Sequence, residues 1–257
     1  MRIDSDCYSL PKAGNHSHEY EDASHSSTHV QKETTVSRFA IADGASESSF
    51  ADLWANLLTS GYCYGRIDGL HIHKSVSPLS KAWLKKTSGK SLPWYAQEKL
   101  GSGAFATLAG ITFRYAKDAE TVAFDAIAIG DSCIFHVRGD TLIASFPLSN
   151  ADDFSRRPVL ISSNAANNDR LKSSVHEWSG TAEAGDAFWL MTDALACWLL
   201  THYMEDRGVI RRLQELDGHR AFDHLVHEER RRLYREGHFY LRNDDVTFIR
   251  LNLVKGK

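Results

Sequence analysis

Four apolar segments of this chain stop or start on aspartate. Phe39-Ala40-Ile41-Ala42 runs into Asp43-Gly44, and Ala126-Ile127-Ala128-Ile129 runs into Gly130-Asp131-Ser132. Phe188-Trp189-Leu190-Met191-Thr192 runs into Asp193, and Asp244-Asp245 immediately precedes Val246-Thr247-Phe248-Ile249. Glu21-Asp22 adds an acidic pair in a polar N-terminal segment. One aspartate at a strand end needs no explanation beyond a turn or a helix cap. Five such places, four of them against strands too apolar to lie exposed, gather carboxylates at one edge of a core. There they repel one another unless cations neutralise them. Oxygen-only ligands favour hard cations, Mg²⁺ or Mn²⁺, over zinc or copper. Two such ions sharing a carboxylate are a device for activating water against a phosphate ester. The residues by themselves therefore point to a two-metal phosphohydrolase.

The rest of the pattern is mixed α and β. Residues 36–42 read as the first core strand, after an N-terminal strand and a polar stretch, 12–35, that reads as a loop. Phe50, Leu53, Trp54, Leu57 and Leu58 share one face of a helix, with Ser48 or Ser49 as its cap. A short helix is expected at 79–86, and another at 93–100 opened by Pro93. Segments 105–115, 121–129, 132–137 and 141–146 are joined by polar turns and predict an antiparallel meander. A strand at 187–192, a buried helix at 193–203, a charged helix at 219–235 and a closing strand at 246–253 follow. No domain linker is visible, so 1–257 is expected to be a single domain.

Composition narrows the function. The 257 residues are 42% hydrophobic and 25% charged, as in an ordinary globular protein. A net charge of −3 argues against nucleic acid as the partner. The longest apolar run, Ala194 to Leu200, is far too short to span a membrane. No apolar stretch follows the first residues, so no signal peptide is expected, and the chain is expected in the cytoplasm. Cys7, Cys63, Cys133 and Cys197 form no CxxC pair, which excludes a local zinc knuckle.

Taken in order, Glu21-Asp22-Ala23, Asp43-Gly44, Gly101-Ser102, Gly130-Asp131-Ser132, Thr192-Asp193 and Asp244-Asp245-Val246-Thr247 resemble the ordered motifs of the metal-dependent (type 2C, PPM) Ser/Thr protein phosphatases, in a divergent, bacterial-type form. The resemblance covers about residues 15–253. It implies an αββα sandwich, two mainly antiparallel sheets flanked by helices, in the α+β class. It also implies hydrolysis of phosphoserine and phosphothreonine by a water bridging two Mg²⁺ or Mn²⁺ ions, on a phosphorylated protein substrate paired with a cognate Ser/Thr kinase. By position, Asp43 would bridge the two metals and the Gly44 carbonyl would bind one. Asp193 and Asp244 would complete one metal's ligands, and Asp22, or Glu21 through water, would serve the other. Asp43 and Asp193 are the residues on which catalysis is expected to turn. Asp131 would be a ligand of a weaker third metal.

The departures from the family are specific. Ser17, between His16 and His18, stands where the family has a phosphate-clamping arginine. Ala45-Ser46-Glu47 replaces the usual glycines after Asp43-Gly44, Ala194 replaces glycine, and Cys197 stands where many members carry another metal-binding aspartate. The missing arginine raises a second reading, a pseudophosphatase that binds phosphoproteins without turnover. Other patterns read as background. Gly101 to Ala106 fits a GxGxxA dinucleotide pattern but follows a helix and opens a strand, the reverse of what that motif needs. His71 and His73 read as surface residues of an extended segment. His224 and His227, and the run Glu228 to Arg232, read as the solvated face of a helix.

Overall fold

A computed structural model describes residues 1–88, 100–116, 118–155, 157–233 and 239–256. Its strands are β1 (Arg2–Leu10), β2 (Ala23–Gln31), β3 (Thr34–Ala42), β4 (Phe105–Ala106), β5 (Leu108–Ala116) and β6 (Thr121–Ile129). They continue as β7 (Cys133–Arg138), β8 (Thr141–Phe146), β9 (Ile161–Ser162), β10 (His176–Glu183), β11 (Asp186–Met191) and β12 (Val246–Val254). The helices are α1 (Ala51–Cys63), α2 (Ile72–Thr87), α3 (Asp193–Glu205), α4 (Gly208–Gln214) and α5 (His219–Glu229). One five-stranded sheet has the order β1-β12-β11-β7-β8, the other β10-β6-β5-β3-β2, and β4 pairs with β9. All these pairings are antiparallel.

Alternation along the strands explains the layers. In β12, Val246 and Phe248 join Trp189, Trp198, Leu199 and Phe222 in a core between the first sheet and α3 to α5. Ile249, Leu251 and Leu253 point the other way, into a core between the sheets with Phe39, Ile111, Phe113, Phe124 and Phe188. Phe113 and Phe124 meet Phe188 edge-on, with ring centroids 5.2 and 5.0 Å apart, the arrangement the ring quadrupoles favour. Trp54, Leu58, Trp83 and Leu108 form a third core beneath α1 and α2. The result is the expected αββα sandwich, helix layer on sheet on sheet on helix layer.

Several local expectations change. The segment read as a loop, 12–35, contains β2, and the region before β11 contains β10. Both are sheet edges, held by one neighbour's backbone and carrying Ser, His, Thr and Glu where a central strand would carry apolar residues. The predicted meander is two hairpins in different sheets, because the chain crosses between them at Gly130-Asp131-Ser132. The cap of α1 is Phe50, in the left-handed region at φ 59°. Ser48 instead donates to the Ala45 carbonyl (2.8 Å) and accepts the Phe105 N–H (3.2 Å), tying the loop after Asp43-Gly44 to β4. The short helix expected at 79–86 begins at Ile72, so exposed His71 and His73 sit at its start rather than on an extended segment. The helix expected at 93–100 lies, Leu100 apart, outside the described residues, and the one expected at 219–235 ends at Glu229, with its expected last two residues outside the described ones.

The run Glu228 to Arg232 is a solvated face only in part: Glu228, Arg231 and Arg232 are exposed, but Glu229 and Arg230 are buried. Glu229 is fully buried. Its carboxylate accepts from Trp198 Nε1 (3.0 Å) and Arg212 Nη1 (3.0 Å) and bonds His202 Nε2 (3.0 Å). Burial pushes its pKa up, but the hydrogen bonds from His202, Trp198 and Arg212 outweigh it and hold the group at about 2. Arg230, 8% exposed, donates to the carbonyls of Pro11 (3.0 Å) and Asp244, fastening the segments that enter the carboxylate end of the sandwich. His224 and His227 are exposed, as expected.

Glu229→Gln is expected to cost about 2–3 kcal/mol, below the roughly 3–5 of a fully buried pair because Arg212 is partly solvated. Wild-type stability should decline as pH falls from about 4.5 toward 2, where Glu229 takes up its proton. The variant should lack that component, which urea melts across the acid range would measure.

Candidate metal centre

Antiparallel register decides where the acidic residues meet. In the second sheet Ala23 lies opposite Ala42, Ile41 opposite Ala109 and Leu108 opposite Ile129. Asp22, Asp43, Thr107 and Gly130 therefore follow one another across one end of that sheet. In the first sheet Met191 lies opposite both Cys133 and Phe248, which sets Ser132, Thr192 and Thr247 side by side at the same end. Asp131, Asp193, Asp244 and Asp245 flank them.

Hydroxyls tie the two sheet ends together. Thr247 Oγ1 donates to Asp22 Oδ2 (2.7 Å), and Tyr20 bonds the same hydroxyl. The Thr247 N–H donates to Thr192 Oγ1 (2.9 Å). The Asp43 N–H donates to Thr107 Oγ1 (2.9 Å), which shares a hydrogen bond with Ser132 Oγ (2.6 Å). Asp245 holds the N-terminal segment in place, its two oxygens accepting the N–H groups of Lys12 and Glu21, each at 2.8 Å. Gly44 has to be glycine, since a Cβ there would lie 2.5 Å from the Glu21 carbonyl oxygen. Gly130, at φ +95°, makes the crossing turn beside Thr107, against which a Cβ would lie at 2.7 Å.

The electrostatics follow from that convergence. Burial, then the charges of Asp22, Asp193, Asp244 and Asp131, push the Asp43 carboxyl well above the usual carboxylate range. Burial also raises Asp22 well above it, against the hydrogen bond from Thr247 and with Asp245 and Asp193 adding to the rise. Asp131 is pushed up to about 7 by burial and by Asp193, with Arg242 opposing. Asp244 is raised by burial and Asp193, and Glu21 by burial against Ser46 and Lys12. As placed, no three His, Cys, Asp or Glu side chains among the described residues close into a ligand set. The donor chemistry nevertheless suits a hard divalent cation. Asp22 Oδ1 and Asp193 Oδ1 are buried without a hydrogen-bond partner among the described residues, and both are carboxylate oxygens.

Glu21, Asp22, Asp43, Gly44, Asp131, Asp193 and Asp244 thus lie in one region. Gly101-Ser102 does not join it: its carbonyls accept from Asn164 and Asn167 at an exposed position. Thr107, five residues on, is the hydroxyl that meets Asp43. The mismatch has a plain cause, since a GS pair is visible in a sequence whereas the register of β3 on β5 is not. Thr192, Thr247 and Asp245 were within the motifs but had no stated role. Arg242, whose Nη2 donates to Asp193 Oδ2 (2.6 Å), carried no signal at all. His16, Ser17 and His18 are exposed, the two rings stacked on each other. A cleft of about 330 Å³ opens beside Glu21, lined by Lys12, His18, Tyr20, Ser46 and Asp52 among others. Lys12 Nζ lies there, 3.1 Å from Ser46 Oγ and 3.9 Å from Glu21 Oε2. Cys197 is half-buried against the helix-side core.

No protein-family model matches the chain, and no curated protein matches it in sequence. Solved structures do match in shape. The serine/threonine phosphatase PstP/Ppp of Mycobacterium tuberculosis superposes with a TM-score of 0.56 at 14% identity, over 98% of this chain and 99% of that one. The catalytic domain of PstP in complex with two manganese ions gives 0.55 at 16%, over 98% of each chain. The photosystem II phosphatase PBCP gives 0.52 at 14%, over 98% of this chain and 99% of that one. The carboxylate-ended sandwich of this chain is the fold of the PP2C-type Ser/Thr phosphatases.

Proposed function

We propose that residues 1–257 act as one catalytic domain, a Mg²⁺- or Mn²⁺-dependent phosphatase that hydrolyses phosphoserine and phosphothreonine in a protein substrate phosphorylated by a cognate Ser/Thr kinase. The observation that carries this reading is the meeting of buried and half-buried, mutually repelling carboxylates from both sheets at one end of the sandwich. A fold gains nothing from such a cluster unless cations complete it.

Asp43, with the Gly44 carbonyl beside it, would hold the two ions together with Asp193 and Asp244 on one side and Asp22, or Glu21 through water, on the other. Two divalent ions held there would supply a water acidified enough to attack a phosphate ester. The protein's part is to fix those ligands. Thr107 orients the Asp43 backbone, Thr247 fixes one Asp22 oxygen so that the other faces inward, and Asp245 locks Glu21 against β12. The cleft beside Glu21 receives the phosphoester, and the Lys12 ammonium supplies positive charge that Ser17 lacks. That placement favours turnover over the pseudophosphatase reading, which rests on Ser17 alone.

Three outcomes test this. Asp43→Asn or Asp193→Asn should lower Mn²⁺-dependent hydrolysis of an aryl phosphate by more than about 100-fold, beyond what a change behind the ligands costs. Retention of a tenth of the rate would overturn the ligand assignment. Lys12→Gln should raise KM for phosphopeptide more than it lowers kcat, separating a substrate contact from a ligand-positioning role. The third outcome concerns protons. Asp131 sits at about 7 and Asp22 and Asp43 are well above the usual range, so the folded, chelated chain holds protons that the unfolded chain has released. Its stability should therefore decline as pH rises from about 4 through 7. Mn²⁺ takes the place of the protons on Asp22 and Asp43, so excess Mn²⁺ should raise Tm more at about pH 8 than at about pH 5. Equal shifts at both values would count against the metal centre.

A further inference from the structure

Arg242 precedes the acidic pair of β12, next to fully buried Leu241. Its Nη2 lies 2.6 Å from Asp193 Oδ2, and its side chain is half exposed while that of Asp193 is 14% exposed. The two oxygens of Asp193 thus face different surroundings. Oδ2 turns outward to the guanidinium, and Oδ1 is buried with no partner among the described residues. The other charged or titratable groups bearing on Arg242 are Cys197, one helical turn along α3 from Asp193, and Asp244 in its own segment. Arg242 also acts on Asp131, in the turn before β7, opposing the carboxylates there. The dominant influences on Asp43 are other carboxylates.

The cluster therefore has two edges. The inner one, at Asp22, Asp43 and Asp193 Oδ1, carries two buried oxygens, Asp22 Oδ1 and Asp193 Oδ1, without a hydrogen-bond partner among the described residues. At the outer one, Asp193 Oδ2 is paired with a permanent positive charge whose field also reaches Asp131, since a guanidinium does not lose its proton in a protein. Cys197 offers nothing to a hard ion there, because a thiol is a soft ligand.

We propose that Arg242 is a resident cation for the outer edge, holding Asp193 Oδ2 and neutralising Asp131, so that this chain binds two divalent ions and excludes a third between Asp131 and Asp193. The inference rests on the two-metal reading of the inner edge. It assigns Asp131 to charge balance with Arg242 rather than to metal ligation. It also gives Arg242 a positioning role, turning the free oxygen of Asp193 inward.

Calorimetric Mn²⁺ titration of the full chain tests it. Arg242→Gln should bind one more Mn²⁺ per chain than wild type, whereas Arg242→Lys should keep the wild-type count. Asp131→Asn should leave the wild-type count unchanged but remove the added ion from the Arg242→Gln background. Equal counts in wild type and Arg242→Gln would overturn the proposal, as would loss of an ion in Asp131→Asn alone. The latter variant carries the test should Arg242→Gln fail to melt cooperatively. A wild-type chain that takes up no Mn²⁺ would refute the phosphatase reading. Even then, uptake by Arg242→Gln alone would support the role of Arg242, and uptake by neither would overturn it.

Discussion

Repulsion among carboxylates that cannot move apart governs this end of the molecule. Asp22 and Asp43 are neighbours because Ala23 pairs with Ala42, and Asp193 and the Asp244-Asp245 pair are neighbours because Met191 pairs with Phe248. Sliding either pair of strands to separate the charges would turn every inward side chain of those strands outward. The three apolar cores thereby hold together groups that electrostatics would scatter. Burial raises the cost of their charge, and the site's proton and metal affinity is the consequence.

The hydroxyls explain how such a cluster keeps its shape. Thr107 and Ser132 join the two sheets below Asp43, and Thr247 joins them below Asp22. Thr247 donates to one Asp22 oxygen and leaves the other without a partner among the described residues, while Thr107 accepts the Asp43 N–H and so fixes its backbone. Arg230 and Asp245 work from outside, one on the Pro11 and Asp244 carbonyls and the other on the N–H groups of Lys12 and Glu21. An N-terminal segment otherwise polar enough to stay in solvent is thereby fastened against β12.

Charge in this protein is thus placed in two distinct ways. Glu229 is buried among donors that outnumber it, so it stays ionised and braces the helix layer. Buried Asp22 and half-buried Asp43 lie among other carboxylates, so they gain protons or cations instead. The same side-chain chemistry makes a structural hub in one place and a candidate metal centre in the other, according to what surrounds it.

The central strands, the helices at 51 and 193 and the acidic ends of the strands were legible in the sequence because each is a local pattern. Alternating or continuous apolar residues mark a buried strand, a 3.6-residue period marks a helix face, and aspartate against an apolar run is conspicuous wherever it occurs. The edge strands β2 and β10 were not legible, since backbone pairing to one neighbour leaves no apolar imprint on the side chains. Nor were Thr107, Arg242 and Arg230, whose importance comes from partners far away in sequence. An arginine in a charged run reads as solvent-facing until the fold brings carbonyls to it. The sequence alone therefore determined which apolar segments would be buried and which carboxylates would stand at strand ends. Only the tertiary structure decided which hydroxyls and guanidinium groups meet them, because pairing register and sheet stacking depend on contacts spread over the whole chain.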